Sequence, residues 1–549
     1  MTDKRKQRVQ LDPSSSRRTG LGHAWSEHNT RHEQWQDITR MVDSDVESGA
    51  AKAPLPAPRR ARVTQIVVIL FALCVVGVAF IATEFEFLPT LSEKIRRPLV
   101  GFWEDKTSPI HQYECVGWRP TKGCTPDGEV SAKLSCNTVI KGRSSGYCEL
   151  RHRRTGVTRK VLKMHCDSVK PDVKLKCADY QTLLGYGHLV SSYIHDSDFS
   201  FKTNQQKFLL ENNVTTAIEP AAIARGIVFV VYDRLLPGAY ASIRNLRAKG
   251  CTLPIELWSR PGEIRDDHPI LRELVANHGA YRRIIHDKHA TGYFTKLHAV
   301  FYSAFDSVLL LDADNFPVRD PEYLFETAEF RDTGALFWPD YRRPARRGDW
   351  DIIDNSILWE VLDMPYVDMF EQESGQVMIN RHRHERALNA LMFFGFHHPR
   401  VMDDLKLVWG DKDLFRLAWL KTNSTFYWSA RPAGSAGPYD PKSQRFCGGT
   451  IVQHDPAGEV IFLHRNTWKL QRGSTSKRWT HIEQFKVGVD LSKYSVTSVD
   501  AAPDFPNLGR CYGEHKDFTN YELTPIAELP FANIEDELIA YFEEGLKLE

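Results

Sequence analysis

The stretch "LLLDADNFPVRDP", Leu309 to Pro321, is an apolar run that ends on two aspartates one residue apart, with two prolines closing the loop behind them. A short uninterrupted apolar run is the mark of a strand buried on both faces, as in a parallel sheet. The surrounding sequence keeps the same rhythm. "GIVFVVYD" (Gly226–Asp233), "LPIELW" (Leu253–Trp258) and "DSVLLLD" (Asp306–Asp312) read as buried strands. "AYASIRNLRAKG" (Ala239–Gly250) has helical spacing and stops on a glycine, and "GYFTKLHAVFYSAF" (Gly292–Phe305) puts Phe294, Leu297, Val300 and Phe301 on one helical face. Strands alternating with helices over short links predict an α/β domain with a mostly parallel central sheet. Ligands of such sheets bind beyond the carboxyl ends of the strands, where Asp312 and Asp314 stand.

The chain has 549 residues, 42% of them hydrophobic, with a net charge of +1. It can bury a large core, and it lacks the concentrated basic face that a nucleic-acid partner requires. "VTQIVVILFALCVVGVAFIAT", Val63 to Thr83, is uncharged and apolar on all sides. It is long enough for a membrane-spanning helix, which takes about 20 residues. Some sixty polar residues precede it and its apolar run is long, which argues against a cleaved signal peptide. Arg59, Arg60 and Arg62 before it, and Glu84 and Glu86 after it, predict a type II anchor with residues 1–62 in the cytosol.

Of ten cysteines, six fall at positions 115, 124, 136, 148, 166 and 177. Their wide spacing without a CxxC pair favours disulfides in an oxidising lumen over zinc, and leaves fifteen pairings open. Cys251, Cys447 and Cys511 come later, so at least one thiol is left over or paired between chains. The predicted layout is a disordered tail (1–62), the span (63–83), a stem (84–110), a Cys-rich module (111–180), a helical connection (181–220), the α/β domain (221–500) and a C-terminal extension (501–549).

Asp312-Ala-Asp314 admits several readings. A calcium loop counted from Asp312 needs Gly and Glu where Pro317 and Tyr323 stand, so it fails. A phosphatase of the haloacid dehalogenase type wants Thr or Val where Phe316 stands. Two readings remain open: metal-bridged binding of a nucleotide diphosphate, and a plain turn in which the aspartates cap backbone amides. Downstream lie "GALFWPDYRR" (Gly334–Arg343), "EQESGQVMINR" (Glu371–Arg381), "GDKDLFRLAW" (Gly410–Trp419) and "FLHRNTWK" (Phe462–Lys469). In this order, together with "TKLHAVFYSAFDSVLLLDADNFPVRDPEYLF", they resemble the fungal α-1,3-mannosyltransferase family of Golgi membrane enzymes, glycosyltransferase family 71. The resemblance covers roughly residues 221–480.

The resemblance implies a GT-A type fold and a Golgi-lumenal, retaining transferase. The enzyme would carry mannose from GDP-mannose to mannose residues of N- or O-linked glycans, in α-1,3 linkage, with the help of Mn2+. Asp314 would hold the metal, Asp312 the metal or the donor ribose, and His464 would be the third ligand, with His454 its competitor. Lys469 would reach the diphosphate, while Lys296, Tyr232 and Gln376 would contact the donor. Asp411 and Glu373 would be the catalytic carboxylates, although Asp411 is also a good helix N-cap. Trp338, Asp340 and Tyr341 would form an acceptor platform. A UDP-sugar transferase and an inactive glycan-binding scaffold are the alternatives.

Overall fold

Six of the cysteines hold together the first part of the chain that the structure, a computed structural model, describes. The described residues are 109–194, 224–342, 352–500, 502–513 and 518–549. The expected tail, span and most of the stem lie outside them, as does the connection beyond Ile194. Among the described residues no helix is long and apolar enough to cross a membrane. The antiparallel strands β1 (Tyr113–Pro120), β2 (Gly146–His152) and β3 (Thr158–Met164) are stapled by Cys115–Cys136, Cys124–Cys166 and Cys148–Cys177. Helix α1 (Tyr180–Tyr193) follows. The module shares one hydrophobic core with helices and strands of the α/β domain, and the Glu360 carboxylate accepts from the Leu162 and Lys163 amides at 2.7 and 2.9 Å.

The central sheet is built as the apolar runs predict. Strands β4 (Arg225–Val230), β5 (Ile255–Ser259), β6 (Ala280–Ile284) and β7 (Ser307–Leu311) are parallel in the order β6-β5-β4-β7. They alternate with helices α2 (Leu236–Ala248), α3 (Pro269–Asn277) and α4 (Phe294–Tyr302). Val308 and Leu310 face one core, with Leu297 and Val300 of α4, whereas Leu309 and Leu311 face another, with Leu236 and Ile243 of α2. Both faces are covered, which is why the run is uninterrupted. Strand β6, with its charged "AYRRI", was not legible as part of this sheet. It is tied in by a buried ion pair of Arg283 with Glu256, whose carboxylate also accepts from the Trp258 indole at 2.9 Å and the Ala304 amide at 3.0 Å.

Beyond β7 the chain forms the short strand β8 (Asn315–Pro317) and then β9 (Ala335–Pro339) and β10 (Gln372–Asn380). Strand β10 runs antiparallel to both β7 and β9, and β11 (Tyr427–Trp428) completes the seven strands, so four of the six strand pairs are parallel. Helices α5 (Glu385–Phe396) and α6 (Lys412–Lys421) pack on one another and belong to the same core as α4. Glu373, Ser374 and Gly375 lie in β10, with Glu373 opposite Trp338 of β9 and the next residue, Gln376, opposite Leu311 of β7.

A second, fully antiparallel sheet was not foreseen. Its order is β8, β14 (Val460–His464), β13 (Thr450–His454), β12 (Gly434–Gly437), β15 (His481–Phe485) and β16 (Tyr521–Pro525). Helix α7 (Ile534–Leu548) packs on α2. Residues 501–549, expected as a C-terminal extension, are built into this part of the fold: β16 is the edge strand of the sheet, and Ile534, Leu538 and Phe542 of α7 share a hydrophobic cluster with Ala241 of α2. A fourth disulfide joins Cys447 to Cys511, and Cys251 is left as a buried free thiol.

Candidate functional site

The antiparallel pairing of β8 with β14 puts Asn315 opposite His464. Between β7 and β8 the chain turns tightly, with the Asn315 amide donating to the Asp312 carbonyl at 3.0 Å. The turn presents Asp314 to the imidazole: Nε2 of His464 lies 3.3 Å from Asp314 Oδ1 and 3.8 Å from Asp312 Oδ2. One ligand atom from each of Asp312, Asp314 and His464 falls within 4.8 Å of the others. The Asp312 amide donates to Gly375 C=O at 2.9 Å, which docks β10 against the same turn. There Glu373 Oε1 lies 3.3 Å from Nδ1 of His464 and accepts from the Gly375 amide at 2.5 Å. Lys469 Nζ lies 2.6 Å from Asp314 Oδ2, and Lys296, on α4, lies 2.7 Å from Asp312 Oδ1.

The electrostatics follow from burying these charges together. Burial opposes charge on His464, but Asp314 and Glu373 outweigh it and raise the imidazole to about 10. Burial likewise opposes ionisation of Asp314, yet His464 and Lys469 hold its carboxyl well below the usual range. Glu373 is pulled down to about 2, with His464 overcoming the same burial. Lys296 stays firmly charged despite burial because Asp312 and Asp411 face it.

The residues present suit a divalent cation. Two carboxylates supply hard oxygens and an imidazole a borderline nitrogen, the donor set that Mn2+ accepts. The second ring nitrogen of His464 faces a carboxylate, the usual outer partner of a metal-binding histidine. Lys296 and Lys469 show that both aspartates are already aimed at positive charge.

Asp411 does not cap α6. Its backbone precedes the helix, but its side chain makes no capping bond. Its Oδ2 accepts from Ser374 Oγ at 2.9 Å and lies 3.6 Å from Lys296 Nζ, so tertiary partners outbid the local amides. Burial raises its pKa. The next residue, Lys412, bridges Asp340 at 2.6 Å and Glu371 at 2.7 Å and ties the start of α6 to β10. Asp413 bonds Arg416 and the Gln372 amide and faces away from the aspartates' partners.

Lys412→Met is expected to cost about 3–5 kcal/mol, because it strands two carboxylates, one fully buried. Burial already raises the pKa of Glu371, with Lys412 opposing that rise. Folded Glu371 thus binds its proton more tightly than unfolded Glu371, so the folded state gains relative stability as pH falls. The deficit of the variant should therefore shrink on acidification, and thermal melts at several pH values read it directly.

Other expectations did not survive folding. Trp338 is 1% exposed, its indole N–H donates to the His454 carbonyl at 2.8 Å and its ring packs on Phe462, so it offers no platform for a sugar. Tyr341 is buried against Tyr512, with its hydroxyl between Ser435 and the Thr450 carbonyl. Asp340 is engaged by Lys412. Gln376 is fully buried, and its amide oxygen accepts from Asn315 Nδ2 at 2.6 Å, bracing the aspartate turn rather than facing outward. His454 bonds Gln484 at 2.9 Å and is not among the residues that gather at the aspartates. Tyr232, expected within the first strand, stands two residues past the end of β4 at 44% exposure. Sequence reasoning missed the supporting roles of Asn315, Ser374 and Lys412, for which no local pattern exists.

Residues 224–455 match the family model Mannosyl_trans3, a mannosyltransferase family. The chain is 25% identical over 323 residues to the Alpha-1,2-mannosyltransferase MNN21 of Candida albicans, covering 49% of this chain and 48% of that one. It is 25% identical over 297 residues to the Alpha-1,2-mannosyltransferase MNN2 of Saccharomyces cerevisiae, covering 46% and 49%. It thus spans about half the length of the curated relatives it matches. Among solved structures, the galactosyltransferase LgtC aligns with a TM-score of 0.25 at 14% identity, over 37% of this chain and 73% of that one. The glycosyltransferase GlyE of Streptococcus pneumoniae gives 0.26 at 15%, over 37% and 45%. The matched residues 224–455 hold Lys296, Asp312, Asp314, Glu373 and Asp411 of the site, and are similar to mannosyltransferases; His464 and Lys469 lie beyond them.

Proposed function

We propose that this chain is a metal-dependent GT-A type mannosyltransferase that moves mannose from GDP-mannose to a mannose hydroxyl of a glycan. The observation that carries the reading is the convergence of Asp312, Asp314 and His464, which come from β14 and the β7–β8 turn, with Lys469 on the same carboxylate. Mn2+ held by these three residues would neutralise a nucleotide diphosphate and make it a better leaving group. Lys469, half exposed, is placed to follow a phosphate oxygen as it gains charge. Lys296 pins Asp312 and Asp411 in one arrangement, and Glu373 holds the His464 ring in place. Asp411, steadied by Ser374, is the carboxylate left to orient the hydroxyls of the transferred sugar. Retention at the anomeric carbon, with the leaving phosphate as base, is part of this reading; NMR of the fresh product checks it.

The named relatives are α-1,2-mannosyltransferases, which favours the 2-hydroxyl of the acceptor over the 3-hydroxyl first expected. Linkage analysis of the product decides between them. Four disulfides favour an oxidising compartment, in keeping with a Golgi lumen and an anchor at residues 63–83.

A thermal-shift screen against GDP-mannose and the common UDP-sugars, with and without Mn2+, tests donor and metal together. GDP-mannose with Mn2+ should stabilise by about 2.7 kcal/mol at a hundredfold excess over Kd, and neither alone should match it. A metal-dependent shift with a UDP-sugar alone would assign a different donor, and no shift with any donor would favour the inactive scaffold.

A further inference from the structure

His464 and Lys469 end the same short loop, and both meet Asp314. The loop between them is organised by Arg465, which is 1% exposed. Its amide donates to the Asp314 carbonyl at 2.9 Å, so the loop begins on the aspartate turn itself. All three guanidinium nitrogens are engaged. Nε donates to the carbonyl of Trp468, the residue bonded to Lys469. Nη2 donates to the Ser476 carbonyl at 3.0 Å, and Nη1 to Glu535 Oε1 at 2.8 Å.

Glu535 lies buried in the first turn of α7. A carboxylate at that place ordinarily complements the positive end of its own helix. This one serves another segment: Oε1 also accepts from the Arg478 amide and Oε2 from the Trp479 amide, each at 2.8 Å. The Trp479 indole in turn donates at 2.8 Å to Thr450 Oγ1 on β13, the strand paired with β14. The ion pair therefore links α7, the loop after β14 and the segment leading into β15.

A buried ion pair is a poor device for stability alone. Taking two charges out of water costs about what their attraction returns, and apolar residues of similar size often do as well. What the guanidinium supplies is geometry, because its planar fork bonds only in fixed directions. Here it fixes the carbonyl next to Lys469 in a loop whose other end is His464.

We propose that the Arg465–Glu535 pair is a clamp that positions His464 and Lys469 for a metal and a diphosphate, which makes α7 part of the working site. The proposal rests on the metal reading of Asp312, Asp314 and His464. Both clamp residues lie outside residues 224–455, so the family match does not supply it. They are positioning residues that act through the loop.

Glu535→Gln alone leaves the Arg465 charge buried without its partner and risks the fold. Arg465→Met/Glu535→Gln in the full chain removes both charges, and the glutamine oxygen can still accept from the Trp479 amide. Its melting temperature should stay near that of wild type. Its Mn2+ affinity, read by paramagnetic resonance without donor, should fall about 10-fold, as when an outer partner of a metal ligand is lost. Amide hydrogen exchange of residues 465–469, read without metal, should quicken about 10-fold while β7 exchanges as in wild type. Wild-type Mn2+ affinity in the double variant overturns the proposal, and with a lowered melting temperature it assigns the pair to stability alone. Unchanged exchange in the loop overturns it as well. Wild-type protein that binds no Mn2+, with the exchange difference present, overturns the metal reading and leaves the clamp on the loop standing.

Discussion

Asp314→Asn is expected to lower metal-dependent transfer on the order of 10³-fold while the protein stays folded, comparable to the loss of a principal electrostatic group from an active site. The substitution keeps the size of the side chain and removes its charge. In the native protein that charge lies between His464 Nε2 at 3.3 Å and Lys469 Nζ at 2.6 Å. Lys469 is half exposed and can return to water when its partner is neutralised, so the cost falls on function rather than on folding. Mn2+ affinity, measured by calorimetry or paramagnetic resonance, should fall in parallel with turnover. A variant that turns over and binds Mn2+ like the wild type would remove Asp314 from the metal set.

Gly375→Ala should be nearly as damaging, about 10²-fold in turnover, although Gly375 carries no side chain to lose. A Cβ built there would lie 2.4 Å from Nδ1 and 2.6 Å from Cε1 of His464, and 3.0 Å from Glu373 Oε1. Those contacts cannot coexist with the His464–Glu373 pair, so the ring must swing off its position between Glu373 and Asp314. The glycine has ordinary strand backbone, which excludes backbone strain as the cause. Overpacking of this kind costs about 1–3 kcal/mol of stability, a modest change beside the catalytic loss. Wild-type turnover in this variant would mean that His464 is not needed where the fold puts it.

These two residues divide what was readable from what was not. Asp314 was legible because a strand-ending Asp-x-Asp is a local pattern, whereas His464, at the end of a short apolar strand, was singled out only through the family resemblance. Gly375 carries no such local mark. Its purpose appears only when β10 lies beside β7 and β14 delivers an imidazole to the space above it. Trp338 and Tyr341 were misplaced for a related reason. An aromatic cluster on a strand has the same composition whether it faces a ligand or a second sheet, and here Phe462 of β14 and Tyr512 cover it. Asp411 had the residue type and position of a helix cap, yet its carboxylate accepts from Ser374 and faces Lys296 and makes no capping bond.

The sequence by itself determined the parallel strands β4, β5 and β7, the helices α2 and α4, the disulfide character of the module and the pair of aspartates that ends β7. Each of these is written in neighbouring residues, as periodicity, apolar runs or residue type. Only the tertiary structure decided which carboxylate faces which cation and which aromatics are sealed. Those outcomes depend on pairings between strands far apart in the chain, above all β8 with β14. Burial and electrostatic partnership at such contacts belong to no single stretch of sequence.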